Sequence, residues 1–169
     1  MHRRYTLSVL MVAPLACVLT AAGSYAQQKT LKDQLVGAWT LVSATTTLPD
    51  GRPAYGSSPK GLLIFLDNGA YATQLLSSDR LKFASNNRAT GTPEENKAAV
   101  LGSVANFGTY SVNESDKTYT IHFEGSLYPN LEGTEQTRPF MIEGDQLTIT
   151  NPSPTVGGPP AYLIYKRVK

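Results

Sequence analysis

The sequence predicts an all-β domain: an eight-stranded antiparallel up-and-down barrel with one inserted helix near 93–105. Three observations predict it. Short β-branched and aromatic segments follow one another with turn residues between them. A single segment carries a strong helix-start signal. No internal repeat or second core interrupts the series. Successive antiparallel strands in a chain of 169 residues remove their exposed edges by closing on themselves. Eight strands then enclose an interior that is either filled by side chains or large enough for one small ligand.

Residues 1–26 stand apart from this pattern. They read MHRRYTLSVLMVAPLACVLTAAGSYA, with Arg3 and Arg4 leading, an apolar run behind them, and small residues at Ser24 and Ala26. That is the pattern of a secretory signal peptide cut after Ala26, so the expected location is periplasmic or extracellular. The apolar run is short and broken by Pro14, and no stable membrane insertion is expected once the signal is removed. Cleavage takes away His2, Arg3, Arg4 and Cys17. The remainder has 13 basic and 13 acidic side chains, no cysteine, and His122 as its only histidine. Balanced charge argues against an electrostatic nucleic-acid partner. Cysteine-ligated or multi-histidine zinc and thiol chemistry are excluded by count, and no phosphate-cradling glycine loop is present. The expectation is therefore no metal and no cofactor, and the oligomeric state is left open.

Residues 27–34, QQKTLKDQ, read as a polar leader, and residues 35–169 as the barrel domain. LVGAWTLVSATTT (35–47) reads as the first strand. LPDGRPAYGSSPKG (48–61) is a loop rich in Pro and Gly. LLIFLDNGAYATQLL (62–76) is a hairpin turning at Asn68-Gly69. This type I′ signal pairs Leu66 with Tyr71, Ile64 with Thr73 and Leu63 with Gln74. A long loop, SSDRLKFASNNRATG, leads into the helix. There Thr92 is the expected N-cap, Pro93 the first helical residue and Glu95 the partner in a capping box. Val100, Leu101 and Val104 share one stripe. Strands over 107–113, 117–127, 133–142, 146–151 and 161–168 complete the set. The turns between the first four are NESDK, YPNLEG and EGD, and the loop PSPTVGGPP precedes the last.

Several of these segments resemble one family. GAWTLVS (37–43) resembles the Gly-x-Trp opening strand of lipocalins. It is joined, in order over most of 35–150, by GLLIFLDNGAYATQL, GTPEENKAA, FGTYSV, HFEGSLYPNLEGTEQTRPF and GDQLTI. Together they are similar to the bacterial and fungal lipocalin-like domain proteins. The resemblance implies a calycin-type barrel with a small-molecule cavity, and fixes no substrate. It further implies that Trp39 packs at the closed end under a basic residue of the last strand, Arg167 ahead of Lys166, in a structural role. A ligand-stacking Trp39 is the alternative. The inserted helix departs from ordinary lipocalins, whose main helix follows the last strand.

The chemistry concentrates in TIHFEGSLYPNLEGTEQTR (120–138). A hairpin centred near Asn130 would set Ser126 against Thr134, Glu124 against Gln136, His122 against Arg138 and Thr120 against Phe140. The preceding turn would add Tyr110 beside Thr120 and Gly108 beside His122. One face would then grade from Val112, Tyr110, Phe140 and Ile142 to His122, Glu124, Gln136 and Arg138, as in a pocket with a few orienting polar groups. The opposite face holds Ile121, Phe123, Leu127, Pro139 and Met141. In a half-buried sheet that face would be the core and the polar ladder would be solvated. Gln74 is a further candidate for the cavity wall, in competition with Tyr71 across its strand.

Three functions are compatible with these residues. The first is an exported barrel holding a small hydrophobic or amphipathic molecule, with Gln74, Tyr110, His122, Glu124, Gln136, Arg138 and Phe140 as ligand-binding residues. The second is a cofactor-independent cyclase or isomerase. In it His122 acts as acid or base, and Glu124 or Arg138 orients it or stabilises developing charge. The third is a structural or interaction module with a filled core.

Overall fold

A computed structural model describes residues 29–169; the expected signal peptide and its cleavage site lie outside them. Among these residues eight strands form a closed barrel in chain order, β8 pairing back onto β1. They are β1 Gly37–Ala44, β2 Lys60–Phe65, β3 Ala70–Leu76, β4 Ser103–Asn113, β5 Thr118–Ser126, β6 Glu135–Glu143, β7 Gln146–Asn151 and β8 Ala161–Arg167. All pairs are antiparallel, which is the expected up-and-down barrel. Two helices accompany them, α1 Leu31–Leu35 and α2 Pro93–Leu101.

Alternation along each strand sends one set of side chains inward. Trp39, Leu63, Phe65, Tyr71, Tyr110, Phe123 and Leu147 belong to this buried set. Near the turns at Asp67–Gly69 and Glu114–Lys117 the interior is solid. Phe65 meets Tyr110 at 4.8 Å and Tyr119 at 5.3 Å between ring centroids, and Tyr119 meets Phe140 at 5.7 Å, all edge-on. Edge-on contacts suit the ring quadrupoles.

The same end is plugged by α1, which falls partly inside the segment read as a polar leader. Thr30 accepts from the Asp33 N–H, and the Asp33 carboxylate accepts from the Thr30 N–H, a capping box that the sequence TLKD encodes. Glu114, in the β4–β5 turn, accepts from the Leu31 and Lys32 N–H groups at 2.8 and 3.1 Å. A carboxylate at a helix N-terminus satisfies donors that the helix leaves open. Under α1 lies Trp39, fully buried, its indole N–H donating to the Leu35 carbonyl at 2.8 Å. The Arg167 guanidinium sits 4.0 Å from the ring centroid and donates to the Val36 and Gln34 carbonyls. It is Arg167 rather than Lys166 that takes this place, because residues 163 and 165 of β8 point inward.

Several local expectations are corrected. The β2–β3 hairpin pairs Phe65 with Tyr71, Ile64 with Ala72 and Leu63 with Thr73, one position off the expected register. Asp67, Asn68 and Gly69 form a longer loop, closed by the Leu66 N–H on the Ala70 carbonyl at 2.8 Å. Gly69 alone needs positive φ, at 88°, while Asn68 accepts from the Ala70 N–H at 3.0 Å. A turn followed by a left-handed glycine is the usual three-residue alternative to the tight one.

The helix, expected to reach 105, ends at Leu101. Its start follows the sequence: Thr92 caps, Pro93 opens, and Glu95 closes the capping box. Gly102 stops it and gives its carbonyl to the Ser77 N–H at 2.7 Å, which draws Val104 into β4. The Glu95 carboxylate also accepts from the Ala84 N–H at 2.8 Å, tying the preceding loop to the helix.

The third correction concerns β5 and β6. His122 pairs with Glu135, Ile121 with Gln136, Thr120 with Thr137 and Tyr119 with Arg138, a shift of three positions from the expected ladder. The connection is not a tight turn: Pro129–Leu131 form a short 3₁₀ turn, and Glu132 accepts from the Ser126 N–H at 3.1 Å. An odd shift exchanges the two faces of one strand relative to the other. The β4–β5 register is corrected as well: Tyr110 pairs with Ile121 and Gly108 with Phe123, one position off the expected Thr120 and His122, and beyond Gly108 the pairing passes to Phe107–Gly125. Glu124 is left as the extra residue of a β-bulge. A Cβ on Gly108 would run into the His122 carbonyl oxygen, so this close approach requires glycine.

Candidate functional site

The end opposite α1 is open. A cavity of about 370 Å³ lies there, within the size range of small-molecule sites. Its walls come from inward residues of β3, β4, β6 and β8: Thr73, Leu75, Asn106, Gln136, Arg138 and Tyr165. Loops and α2 complete the mouth, with Tyr55 from the loop after β1, Val100 and Leu101 from α2, Leu127 and Tyr128 after β5, and Val156 before β8. The helix therefore borders the opening.

Among the described residues that line the cavity, Arg138 alone carries a charge. No carboxylate pairs with it among the described residues. Its Nε and Nη2 both donate to one atom, the Gln136 Oε1, at 2.8 and 2.5 Å. The Gln136 Nε2 donates to the Ser153 carbonyl at 3.2 Å, in the loop between β7 and β8. Deeper in, the Tyr71 hydroxyl donates to the Asn106 Oδ1 at 2.9 Å.

Burial raises the phenols of Tyr55, Tyr71, Tyr119 and Tyr165 above the ordinary tyrosine range, and the Arg138 charge pulls each part of the way back. A cation surrounded by protonated phenols and one amide is an anion- or carbonyl-accepting environment with several donors.

The burial of these phenols predicts a loss of stability at alkaline pH. Their folded-state pKa values lie above the unfolded value of about 10. Their contribution to stability is thus complete below that pH and is lost as pH rises through the folded values. An alkaline titration followed by tyrosinate absorbance and near-ultraviolet circular dichroism should show the buried phenols ionising together with loss of tertiary structure. Full ionisation with the fold intact would contradict their burial.

The odd shifts of β4–β5 and β5–β6 together divide the predicted site residues. Tyr110, Gln136, Arg138 and Phe140 point into the barrel, Tyr110 and Phe140 in its solid half and Gln136 and Arg138 on the cavity wall. His122 and Glu124 point outward and are exposed. The His122 Nδ1 lies 3.7 Å from the Glu135 carboxylate, a surface contact worth at most about 1 kcal/mol when the imidazole is charged. Their inward neighbours are Ile121 and Phe123. Neither His122 nor Glu124 lines the cavity, so the arrangement of His122, Glu124 and Arg138 as one catalytic group is not what the barrel forms.

Gln74 is likewise exposed on the outer wall, and Tyr71 takes the inward place. Trp39 sits in the closed end beneath Arg167, away from the cavity wall. Among the described residues no cluster of three or more His, Cys, Asp or Glu could hold a metal ion, and no helix is long and apolar enough to cross a membrane.

Sequence reasoning missed Tyr55, Asn106 and Tyr165. Tyr165 was accessible from the alternation AYLIYKR, in which Ala161, Leu163 and Tyr165 share a face. Tyr55 is only 7% exposed although it lies in a loop. An aromatic residue set among Pro and Gly is a weak signal of such a role.

The fold and the site define a closed antiparallel barrel that is plugged at one end and opens into a small, largely apolar cavity at the other. A family model described as "Lipocalin-like domain" matches residues 36–167, nearly the whole barrel, and the chain belongs to that family. Among solved structures it is similar to one titled "REP1-NXSQ fatty acid transporter", at 13% identity and a TM-score of 0.37, covering 80% of this chain and 97% of that one. No curated protein matches the chain.

Proposed function

We propose that this protein binds one small, partly apolar molecule in the cavity at the open end of its barrel, with the molecule's polar end against Arg138. The observation that supports this reading most strongly is the single guanidinium, without a carboxylate partner among the described residues, set in an otherwise uncharged cavity of about 370 Å³. A core serving only stability gains little from a half-buried guanidinium that has no carboxylate partner, because even partial desolvation of a charge is costly. The apolar wall supplies affinity by burial and the polar end supplies orientation. The same reading keeps the protein outside the cytoplasm, released by cleavage after Ala26 and free of cysteine.

The test is direct. The fluorescent amphiphile 1-anilinonaphthalene-8-sulfonate should bind the native protein with one-to-one stoichiometry. Val104→Trp, which fills space beside the cavity wall, should lower its affinity at least about tenfold, equivalent to about 1.4 kcal/mol, while circular dichroism stays native. Unchanged binding by the folded Val104→Trp protein would refute the location.

A further inference from the structure

The contact between Gln136 and Arg138 is unusual in what it satisfies. Two guanidinium donors converge on one amide oxygen, at 2.8 and 2.5 Å. A guanidinium fork matches two oxygens of a carboxylate in parallel, and a neutral amide supplies only one. Gln136 and Arg138 lie two residues apart on β6, both inward. Their contact can therefore be given up without breaking a strand pair. The other end of the same amide holds the Ser153 carbonyl at 3.2 Å, and Ser153, Thr155 and Val156 border the cavity mouth. One side chain thus satisfies the cavity's cation and tethers a loop of the mouth.

We propose that Gln136 is a place-holder for the head group of the ligand, and that the ligand is an amphipathic monocarboxylate. This rests on the binding reading given above. The carboxylate displaces the Gln136 oxygen from Arg138 and takes both donors. The released amide lets go of Ser153, so that occupancy of the cavity is transmitted to the 152–158 loop. One cation and a set of neutral phenols match a single negative charge. A dianionic phosphate monoester would find no second cation among the described lining residues.

The experiment uses decanoate and decan-1-ol, of equal chain length, titrated calorimetrically into the wild type, Gln136→Leu and Gln136→Glu. The wild type should prefer decanoate. Gln136→Leu removes the internal competitor and should bind decanoate about tenfold more tightly. Gln136→Glu places a carboxylate on Arg138 permanently and should weaken decanoate at least about thirtyfold more than it weakens decan-1-ol. Hydrogen exchange supplies a second readout: amides of the 152–158 loop should exchange faster when decanoate is added to the wild type, and should already be fast in free Gln136→Leu.

Equal affinities of the two probes in the wild type and in Gln136→Glu would overturn the proposal and leave a binding cavity standing. If neither probe binds and 1-anilinonaphthalene-8-sulfonate is indifferent to Val104→Trp, the binding reading falls and takes this proposal with it.

Discussion

Replacing Trp39 with alanine should lower the unfolding free energy by about 3–5 kcal/mol, measured by urea denaturation with the native baseline intact. Trp39 has no exposed surface, so the substitution empties a site that cannot be refilled by solvent without exposing the core. Two further losses accompany the cavity. The Leu35 carbonyl loses the indole donor it accepts from at 2.8 Å. The Arg167 guanidinium loses the ring 4.0 Å beneath it, a contact worth about 0.5–2 kcal/mol according to its desolvation. Arg167 and Trp39 both hold α1, through the Gln34, Leu35 and Val36 carbonyls. Amide exchange in residues 31–36 should therefore accelerate before that of the strands. A loss below about 1 kcal/mol would contradict the role of this end as the plug of the barrel.

Arg138→Met should have the opposite profile. Its effect on stability should be small, within about 1 kcal/mol, because removing an unpaired cation from a semi-enclosed wall relieves a desolvation cost that offsets the lost hydrogen bonds to Gln136. Its effect on binding an anionic amphiphile should be large, about 2–4 kcal/mol or roughly 30- to 1,000-fold, as expected when a charge pair loses one member. Thermal denaturation and calorimetric titration of the same preparation would measure both. A protein that loses several kcal/mol of stability with unchanged affinity would make Arg138 a structural residue.

Much of the architecture was legible from the sequence because it depends on local rules. Strand order followed from short links between segments of the right length, and closure from the need to remove edges. The start of α2 followed from Thr92, Pro93 and Glu95, each of which performs the capping role its chemistry suggests. What was not legible is the register, and the candidate site depends on it. Asp67-Asn68-Gly69 offered two turns that differ by one residue, and that difference put Tyr71 rather than Gln74 inside. Between β5 and β6, the 3₁₀ turn at Pro129–Leu131 and the Glu132 contact to Ser126 take up residues that a simple hairpin would have left in the strands. Gln136 and Arg138 were therefore identified with the wrong neighbours: they face Ile121 and Tyr119, not Glu124 and His122. Tyr55 escaped for a different reason, since loops have no periodicity from which to read a direction.

The segment between Ser126 and Glu135 acts as a counter. Losing or gaining a single residue there would invert the phase of one flanking strand, turning Arg138 outward or bringing His122 inward, with no change in either strand's composition. Substitutions in YPNLEG should thus be tolerated far better than length changes, and the two kinds of change can be separated in a library that varies each independently. In this barrel the identity of the cavity wall is written in the length of a loop that bears neither Gln136 nor Arg138.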